Sequence, residues 1–252
     1  MQKVATFFLL GSLMACGTES IFDPNTAVKV ESIETMGDNG FLQSFVFGPG
    51  GQLQRIESSR PYDEEYQLEY VEGQLTGMRI YWPQTQLLYS SVAITYNLSG
   101  AVREVEVQYF DENGEVTATT HYAYEYDSRN RIREIWGTRS SASNYSFGRR
   151  FHWSQGNISQ VDFLDEDREL MHEFFYKYDG RNNYQRGLPT SIYNPLLWGD
   201  HNIVEMSAED YTGLLDLACN PCKTKYRYNL AGYPVSVTQE WGEDQTITYL
   251  EE

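Results

Sequence analysis

The sequence is poor in positive charge. Among its 252 residues, 19 are lysine or arginine and 36 are aspartate or glutamate, which gives a formal net charge of −17. A surface this negative repels the phosphate backbone of a nucleic acid, so we expect no nucleic-acid partner.

Catalytic signatures are also absent. The sequence has no Gly-x-Ser-x-Gly motif, no phosphate-binding loop and no His-Glu-x-x-His motif, and its four histidines are scattered. The acidic residues between 162 and 169 could hold Ca²⁺, but they lack the glycine-containing loop of an EF-hand, which favours an exposed turn. We expect no catalytic residue, no metal site and no cofactor.

Tyrosine, in contrast, is abundant. The chain has 20 tyrosines and 12 phenylalanines but only 5 tryptophans, and 40% of its residues are hydrophobic. Tyrosine and phenylalanine, like the β-branched residues, favour pleated and half-buried strands. The composition therefore predicts an all-β protein that is large enough to bury a core.

The first fifteen residues have the features of a bacterial lipoprotein signal peptide. Lys3 precedes a short apolar run, and the segment Leu13–Cys16 resembles a lipobox, in which the cysteine is acylated and becomes the mature N-terminus. The alternative is an ordinary secretory signal with an accidental cysteine. We predict a signal peptide over 1–15, a lipid anchor at Cys16 and a tether over 16–40. Because no second hydrophobic segment follows, we expect an anchored rather than a spanning protein.

Two further cysteines form a C-x-x-C motif. Cys219 and Cys222 could be a redox pair, half of a zinc site or a small disulfide. A thioredoxin-type motif has a strand before it and a helix that begins at the second cysteine, whereas here a helix predicted over 207–217 comes first and a strand follows. No second cysteine pair is present to complete a zinc site. We predict a loop disulfide in an oxidising compartment, with free thiols as the alternative.

An internal repeat is the strongest signal in the sequence. An aromatic residue is followed by a small or turn-forming residue at +4 and by apolar residues at +6 and +9. Six copies begin at Phe47, Tyr96, Phe110, Tyr126, Tyr178 and Tyr228, and two copies that are one residue shorter begin at Tyr70 and Trp153.

Each copy has the pattern of a β-hairpin. Asp or Asn at +1 can cap a turn, and Gly or Asn at +4 accepts a positive φ, which we expect at Gly100, Gly114 and Gly232. Positions +6 and +9 cannot both face the core from a regular strand, since they are three residues apart. The repeat therefore predicts a bulge or a strong twist in the second strand of each hairpin.

The repeats together predict one β domain over 41–252. Most intervals between copies hold two strands and a turn, so we expect an antiparallel meander of about fourteen strands that forms a curved or rolled sheet. A 50-residue interval separates Tyr178 from Tyr228. It contains an insertion over 187–223, which we predict to be a loop that holds a short helix.

Two phrases in the repeats resemble a known family. Segments Tyr124–Ile132 and Tyr226–Pro234 are similar to the YD repeats of Rhs-type proteins. Together with the lipobox, Asn194-Pro195 and His201-Asn202, they resemble YD-repeat-like lipoproteins of Bacteroidota. The resemblance implies an envelope lipoprotein with a rolled antiparallel sheet and no catalytic residues. Eight copies are too few for a toxin-enclosing shell.

The resemblance also implies a location. Surface-exported lipoproteins of that phylum often carry an acidic run after the acylated cysteine, which residues 17–20 match poorly. We expect a lipid-anchored protein of the outer membrane, facing the periplasm.

Function is predicted only as a class. Four tryptophans lie outside the repeat frame, where an indole could stack on a sugar or a partner's side chain, or close the rolled sheet. They are Trp82, Trp136, Trp198 and Trp241. Within the insertion, Trp198, Asp200 and His201 fit no repeat position and are the predicted binding residues.

We favour a non-enzymatic envelope lipoprotein that binds a protein, peptide or glycan. A structural or assembly accessory is the second hypothesis, and a polysaccharide or peptide hydrolase is the third.

Overall fold

The fold was analysed in a computed structural model. It describes residues 29–36, 41–49, 51–59, 64–141, 144–183, 185, 199–213, 215, 217, 219–240 and 244–250. These residues form sixteen strands and no helix. None of them therefore belongs to a helix long and apolar enough to cross a membrane.

The strands follow one another along the whole described chain. They are β1 Val30–Thr35, β2 Phe41–Phe47, β3 Leu53–Ser58, β4 Glu65–Val71, β5 Gln74–Trp82, β6 Leu87–Tyr96, β7 Val102–Phe110, β8 Val116–Tyr126, β9 Ile132–Ser140, β10 Tyr145–Ser154, β11 Asn157–Leu164, β12 Leu170–Asn182, β13 His201–Asp210, β14 Cys222–Tyr228, β15 Pro234–Gln239 and β16 Gln245–Tyr249.

The sheet closes into a barrel. Every strand pairs antiparallel with the next, and β1 pairs with β16, with Ile33 opposite Ile247. The predicted antiparallel meander is confirmed, while the rolled sheet of about fourteen strands is a closed barrel of sixteen. Closure removes both exposed edges, which an open sheet would leave available for aggregation.

The predicted tether contains one strand of the barrel. β1 pairs with β2 on one side and with β16 on the other, so residues 30–35, inside the predicted tether 16–40, belong to the domain predicted to begin at 41. Val30 and Ile33 are buried in the barrel interior. The segment looks like a linker in the sequence because its apolar residues are few and serve only to close the barrel.

The helix predicted over 207–217 is wrong in its first part. Residues 207–210 complete strand β13, where Ala208 lies opposite Phe174 and Met206 opposite Tyr176. Pairing along the whole length of β12 outweighs the local helix propensity of this segment.

The insertion predicted over 187–223 is therefore smaller than expected. Ile203 and Met206 of β13, three residues apart, pack against the core and take the places of the +6 and +9 residues in the Tyr178 repeat. Cys222 and Lys223 belong to β14. The interval between Tyr178 and Tyr228 therefore contains an ordinary repeat strand, β13, with one connection before it and another after it.

The predicted hairpin turns are confirmed. Five turns share one geometry, in which the amide of the first residue donates to the carbonyl of the fifth at 2.8–3.0 Å. They span 97–101, 111–115, 127–131, 165–169 and 229–233. In these five turns the first residue is Asp or Asn, and its side-chain oxygen accepts the amide of the fifth. Gly100, Gly114 and Gly232 have φ values of 80°, 80° and 85°.

The predicted bulges are confirmed in every copy. The strand pairing shifts register beside each of the eight repeat aromatics. In the Tyr126 copy, for example, Ile132 lies opposite Tyr126 and Glu134 lies opposite Glu125. The bulge lets Ile132 and Ile135 both point into the core, where both are fully buried.

The core fills the barrel interior. Along each strand apolar residues alternate with polar ones, as in β7, where Val105 and Val107 are buried while Arg103 and Glu104 are exposed. The inner side chains form two clusters, a larger one from β4 to β13 and a smaller one around the β1–β16 closure. The inside of the barrel is apolar and the outside is polar.

Candidate functional site

The barrel has two different ends. At one end β1 begins, β16 ends, and each even-numbered strand from β2 to β14 turns into the next strand. We call this the rim end. The opposite end, where the odd-numbered strands turn, is the cavity end. Both ends contain copies of the same five-residue turn, so the differences between them come from other residues.

The rim end is closed by aromatic side chains that bond to backbone carbonyls. Each even-numbered strand from β4 to β16 places one aromatic residue near its end, and the polar atom of that residue donates to the first or an early carbonyl of the preceding strand. The seven bonds are Tyr70 to Leu53, Tyr96 to Leu75, Tyr126 to Val102, Trp153 to Ile132, Tyr178 to Ile158, Tyr226 to Ile203 and Tyr249 to Pro234, at 2.5–2.9 Å. We call these seven side chains the aromatic rim.

The aromatic rim links each hairpin to the one before it. The accepting carbonyls lie beside the bulges, where the ladder of strand hydrogen bonds is disrupted, so the side chains supply donors at those points. Burial raises the pKa of Tyr96, Tyr126 and Tyr178, which keeps their hydroxyls protonated. The hydrogen bonds of the aromatic rim therefore help to close this end of the barrel.

The cavity end holds two cavities that share one side chain. An inner cavity of about 240 Å³ and an outer one of about 280 Å³ lie on either side of Tyr89. The inner cavity is walled by Glu64, Tyr66, Tyr89, Ser90, Tyr109 and Tyr122. The outer cavity is bordered by Trp82, Gln84, Leu87, Tyr89, Phe110 and Asp111.

A bulge places Tyr89 between the cavities. In the β5–β6 pair Ile80 lies opposite Ser90 and Tyr81 lies opposite Leu88, which leaves Tyr89 as the extra residue. The Tyr89 ring lies 4.7 Å from the Trp82 ring and 6.0 Å from the Tyr109 ring. The three rings form a continuous aromatic wall.

The inner cavity also contains polar groups. Ser90 is only 1% exposed, and its hydroxyl has no hydrogen-bond partner within the described part of the chain. The Tyr66 hydroxyl donates to the Glu64 carboxylate at 2.5 Å, and the Arg139 guanidinium lies 4.6 Å from the centre of the Tyr109 ring. Burial raises the pKa of Tyr89, and the negative charge of Glu64 raises it further. The Ser90 oxygen itself has almost no accessible surface, so Glu64 is the charged group that borders this cavity.

Three carboxylates at this end, those of Asp111, Asp165 and Asp210, serve structure. Asp111, beside the outer cavity, accepts the Glu115 and Asn113 amides, and these bonds lower its pKa. Asp165, in the acidic cluster, caps its turn in the same way. Asp210 accepts the Leu215 amide, which lowers its pKa, and pairs with His172 at 2.9 Å. Across the described residues no group of three metal-ligating side chains occurs.

Of the residues predicted to bind, Asp200 and His201 are not at the cavities. Cys16 and Trp198 lie outside the described residues. Asp200 and His201 lie at the rim end, where the His201 ring bonds to the Asn157 amide at 2.9 Å. Their role in binding stays a prediction, and the structure does not bring them to the aromatic wall.

The C-x-x-C motif lies between β13 and β14 at the cavity end. The sulfur atoms of Cys219 and Cys222 are 2.05 Å apart, the separation of a disulfide. The oxidised state in the cell stays a prediction, and intact-protein mass spectrometry with and without reductant tests it.

The composition of the site was only partly visible in the sequence. Trp82 was singled out as an indole that could stack on a ligand, and it borders the outer cavity. Tyr89, Ser90, Tyr109 and Tyr122 were missed because each lies in a strand, where a tyrosine or serine looks like ordinary sheet packing.

Solved structures share this fold. A porin-like protein from Bacteroides vulgatus, 14% identical, aligns over 89% of this chain and 100% of its own with a TM-score of 0.58. A porin-like protein from Bacteroides uniformis, 11% identical, aligns over 88% of this chain and 98% of its own with a TM-score of 0.54. At these identities the similarity shows the fold alone.

A structure of TcdB2-TccC3, 13% identical, aligns over 84% of this chain and 12% of its own. Its TM-score of 0.37 is too low to support a conclusion. No protein-family model and no curated protein sequence matches the chain.

Proposed function

We propose that this protein is a lipid-anchored barrel of the bacterial envelope that binds a saccharide, without catalysis, at its cavity end. The observation that carries the proposal is the continuous wall of the Trp82, Tyr89 and Tyr109 rings, which borders two adjacent cavities. The lipid at Cys16 supplies the attachment, and the barrel supplies a rigid site.

The outer surface of the barrel supports attachment through a lipid. Charged residues such as Arg79, Arg133 and Lys225 are exposed on the outward faces of the strands. Barrels that cross a membrane have the opposite arrangement, with apolar residues outside and polar ones inside. A barrel with this surface stands in water, so we infer that Cys16 rather than the strands holds it at the membrane.

The shape and chemistry of the cavities favour a saccharide. Sugars present a flat face of C–H groups that stacks on aromatic rings, and hydroxyls that bond to carboxylates and to serine. The wall formed by Trp82, Tyr89 and Tyr109 offers the rings, and Glu64 offers a carboxylate. Two adjacent cavities on either side of Tyr89 fit two neighbouring sugar units. An anionic ligand is disfavoured by the acidic turns at this end.

Calorimetric titration of the mature protein tests the proposal. The probes are chitotriose, maltotriose and cellotriose as neutral oligosaccharides, and trilysine as a cationic peptide. We expect one oligosaccharide to bind with an affinity that does not depend on salt. Tyr89→Ala should weaken binding more than about tenfold, because it removes the shared wall of both cavities.

Tyr145→Ala is the matched control, since it removes an exposed tyrosine at the same end that borders neither cavity. If no oligosaccharide bound, or if Tyr89→Ala bound as tightly as the parent, the saccharide proposal would be wrong. Binding of trilysine alone, lost at high salt, would assign the site to a cationic peptide instead.

A further inference from the structure

The same turn carries different residues at the two ends of the barrel. In the five Asx-capped turns the second residue is the outermost one. At the cavity end it is Glu112 or Glu166, while at the rim end it is Leu98, Ser128 or Leu230. Since backbone geometry is shared, the choice of leucine at the rim end is not required by the turn.

Leu98 and Leu230 are fully exposed, at 110% and 109% of the reference area. Apolar side chains at turn tips gain nothing from the fold, because they contact none of its core. Leu98 follows β6 and Leu230 follows β14, eight strands apart in a barrel of sixteen, so the two lie on opposite sides of the wall.

Charge also differs between the Asx-capped turns of the two ends. The cavity-end turns 111–115 and 165–169 together hold seven acidic residues and one arginine. The rim-end turns 97–101, 127–131 and 229–233 hold one aspartate and two arginines. An anionic lipid surface would repel the first set and would not repel the second.

The chain reaches the barrel at the rim end. β1 begins there at Val30, so the segment that leads from Cys16 joins the barrel at the same end as the two leucines. Fourteen positions separate Cys16 from Val30. A tether of that length keeps the rim end within reach of the bilayer that holds the lipid.

We propose that the rim end rests on a lipid bilayer and that Leu98 and Leu230 insert into its interface. The inference rests on the proposed lipid anchor. With two leucines on opposite sides of the barrel and the tether at the same end, the barrel stands upright and its cavity end points away from the membrane.

Site-specific fluorescence in vesicles tests the orientation. The acylated full-length protein is reconstituted into vesicles of phosphatidylethanolamine and phosphatidylglycerol that contain nitroxide-labelled lipid. Leu98→Cys, Leu230→Cys and Glu112→Cys each carry one environment-sensitive probe, and the unsubstituted protein measures background labelling. We expect several-fold stronger quenching at 98 and 230 than at 112, with blue-shifted emission at the first two.

The control at 112 is matched, because it occupies the same turn position at the opposite end. If the protein did not stay with the vesicles, the anchor and the docking would both be wrong. If it stayed while probes at 98 and 230 were quenched no more than the probe at 112, docking alone would be wrong. Probes shielded from aqueous iodide but not quenched by nitroxide lipid would indicate a protein contact, which also overturns lipid docking.

A second variant tests the leucines directly. Leu98→Ser with Leu230→Ser copies the residue that Ser128 already provides in the same turn, so the fold is kept. In this variant a probe at position 230 cannot be used, so Ser128→Cys reports instead. We expect the probe at position 128 to be quenched less in the double-serine variant than in the protein that keeps both leucines, down to the level of the probe at 112. Equal quenching of the position-128 probe in both proteins would count against insertion of the leucines.

Discussion

The two ends of the barrel are built from the same repeat but differ in what their aromatic side chains contact. At the rim end seven aromatic side chains each donate a hydrogen bond to a backbone carbonyl and join one hairpin to the next. At the cavity end the aromatic side chains of Tyr89 and Tyr109 meet edge to face and border open space.

This difference separates two uses of tyrosine. A phenol that donates to a carbonyl contributes to closure, whereas the Tyr89 and Tyr109 rings border open space. The repeat therefore closes the rim end by placing one hydrogen-bonded aromatic residue in each hairpin. The aromatic residues at the cavity end are not bound by this pattern, so their positions can differ from hairpin to hairpin.

The largest effect should come from truncating the aromatic rim. Tyr126→Ala removes a half-buried ring and its bond to Val102, so we expect a loss of about 3 to 5 kcal/mol in the free energy of unfolding. Tyr109→Ala enlarges a space that is already open, so we expect a loss of about 1 to 2 kcal/mol. Urea unfolding of both variants measures the difference, and equal losses would contradict the division between the ends.

The sequence predicted the local rules of the fold well. The caps at Asp127 and Asn97, the positive φ of Gly100 and the bulge beside Tyr126 all follow from one repeat unit, because each depends on residues close together in the chain. Closure was not predictable in this way. It depends on β1 meeting β16, a long-range pairing that no local pattern contains.

The site was less predictable, and one available signal was overlooked. Phe110 follows Tyr96 by 14 residues and precedes Tyr126 by 16, which is one strand in each direction. Its turn must therefore lie at the opposite end from theirs, and this end holds the cavities. The position of Tyr89 depends on a bulge outside the repeat frame, so the sequence does not reveal that it separates the two cavities.

The second prediction concerns what the two ends share. Gly100 at the rim end and Gly114 at the cavity end have the same φ of 80°, and a Cβ at either would meet no atom within 4 Å. Valine at either position should therefore cost about 1 to 2 kcal/mol through backbone strain alone. Thermal unfolding of the two variants should give the same loss, and a clear inequality would show that the turns are not equivalent.

The third prediction isolates the hydrogen bond of the aromatic rim. Tyr126→Phe keeps the ring and removes the donor to the Val102 carbonyl, which should cost about 1 kcal/mol at neutral pH. Tyr109→Phe is the control at the cavity end, since no hydrogen bond of its hydroxyl is found among the described residues, and it should change stability by less than about 0.5 kcal/mol. If both variants unfolded at the same urea concentration as the parent, the aromatic rim would stabilise through packing only.

The smallest expected effect is a change with pH in what the Tyr126 hydroxyl contributes to the free energy of unfolding. Burial raises the pKa of Tyr126 in the folded protein above the ordinary tyrosine value of 10.0. A group with a raised folded-state pKa contributes stability that is complete below the unfolded pKa and is lost as pH rises towards the folded one. At pH 10, where half of the unfolded chains ionise at this residue, the advantage of the parent over Tyr126→Phe should shrink by about 0.4 kcal/mol.

Trp153 provides the control for this change, because it makes the same kind of bond, to the Ile132 carbonyl at 2.7 Å, without an ionisable group. The penalty of Trp153→Phe should be the same at neutral pH and at pH 10. Urea unfolding of the parent and both variants at the two pH values measures all four differences. An advantage over Tyr126→Phe that stayed constant or grew with pH would mean that the Tyr126 phenol ionises at least as readily in the folded barrel as in the unfolded chain, and burial in the aromatic rim would then not protect this hydroxyl from water.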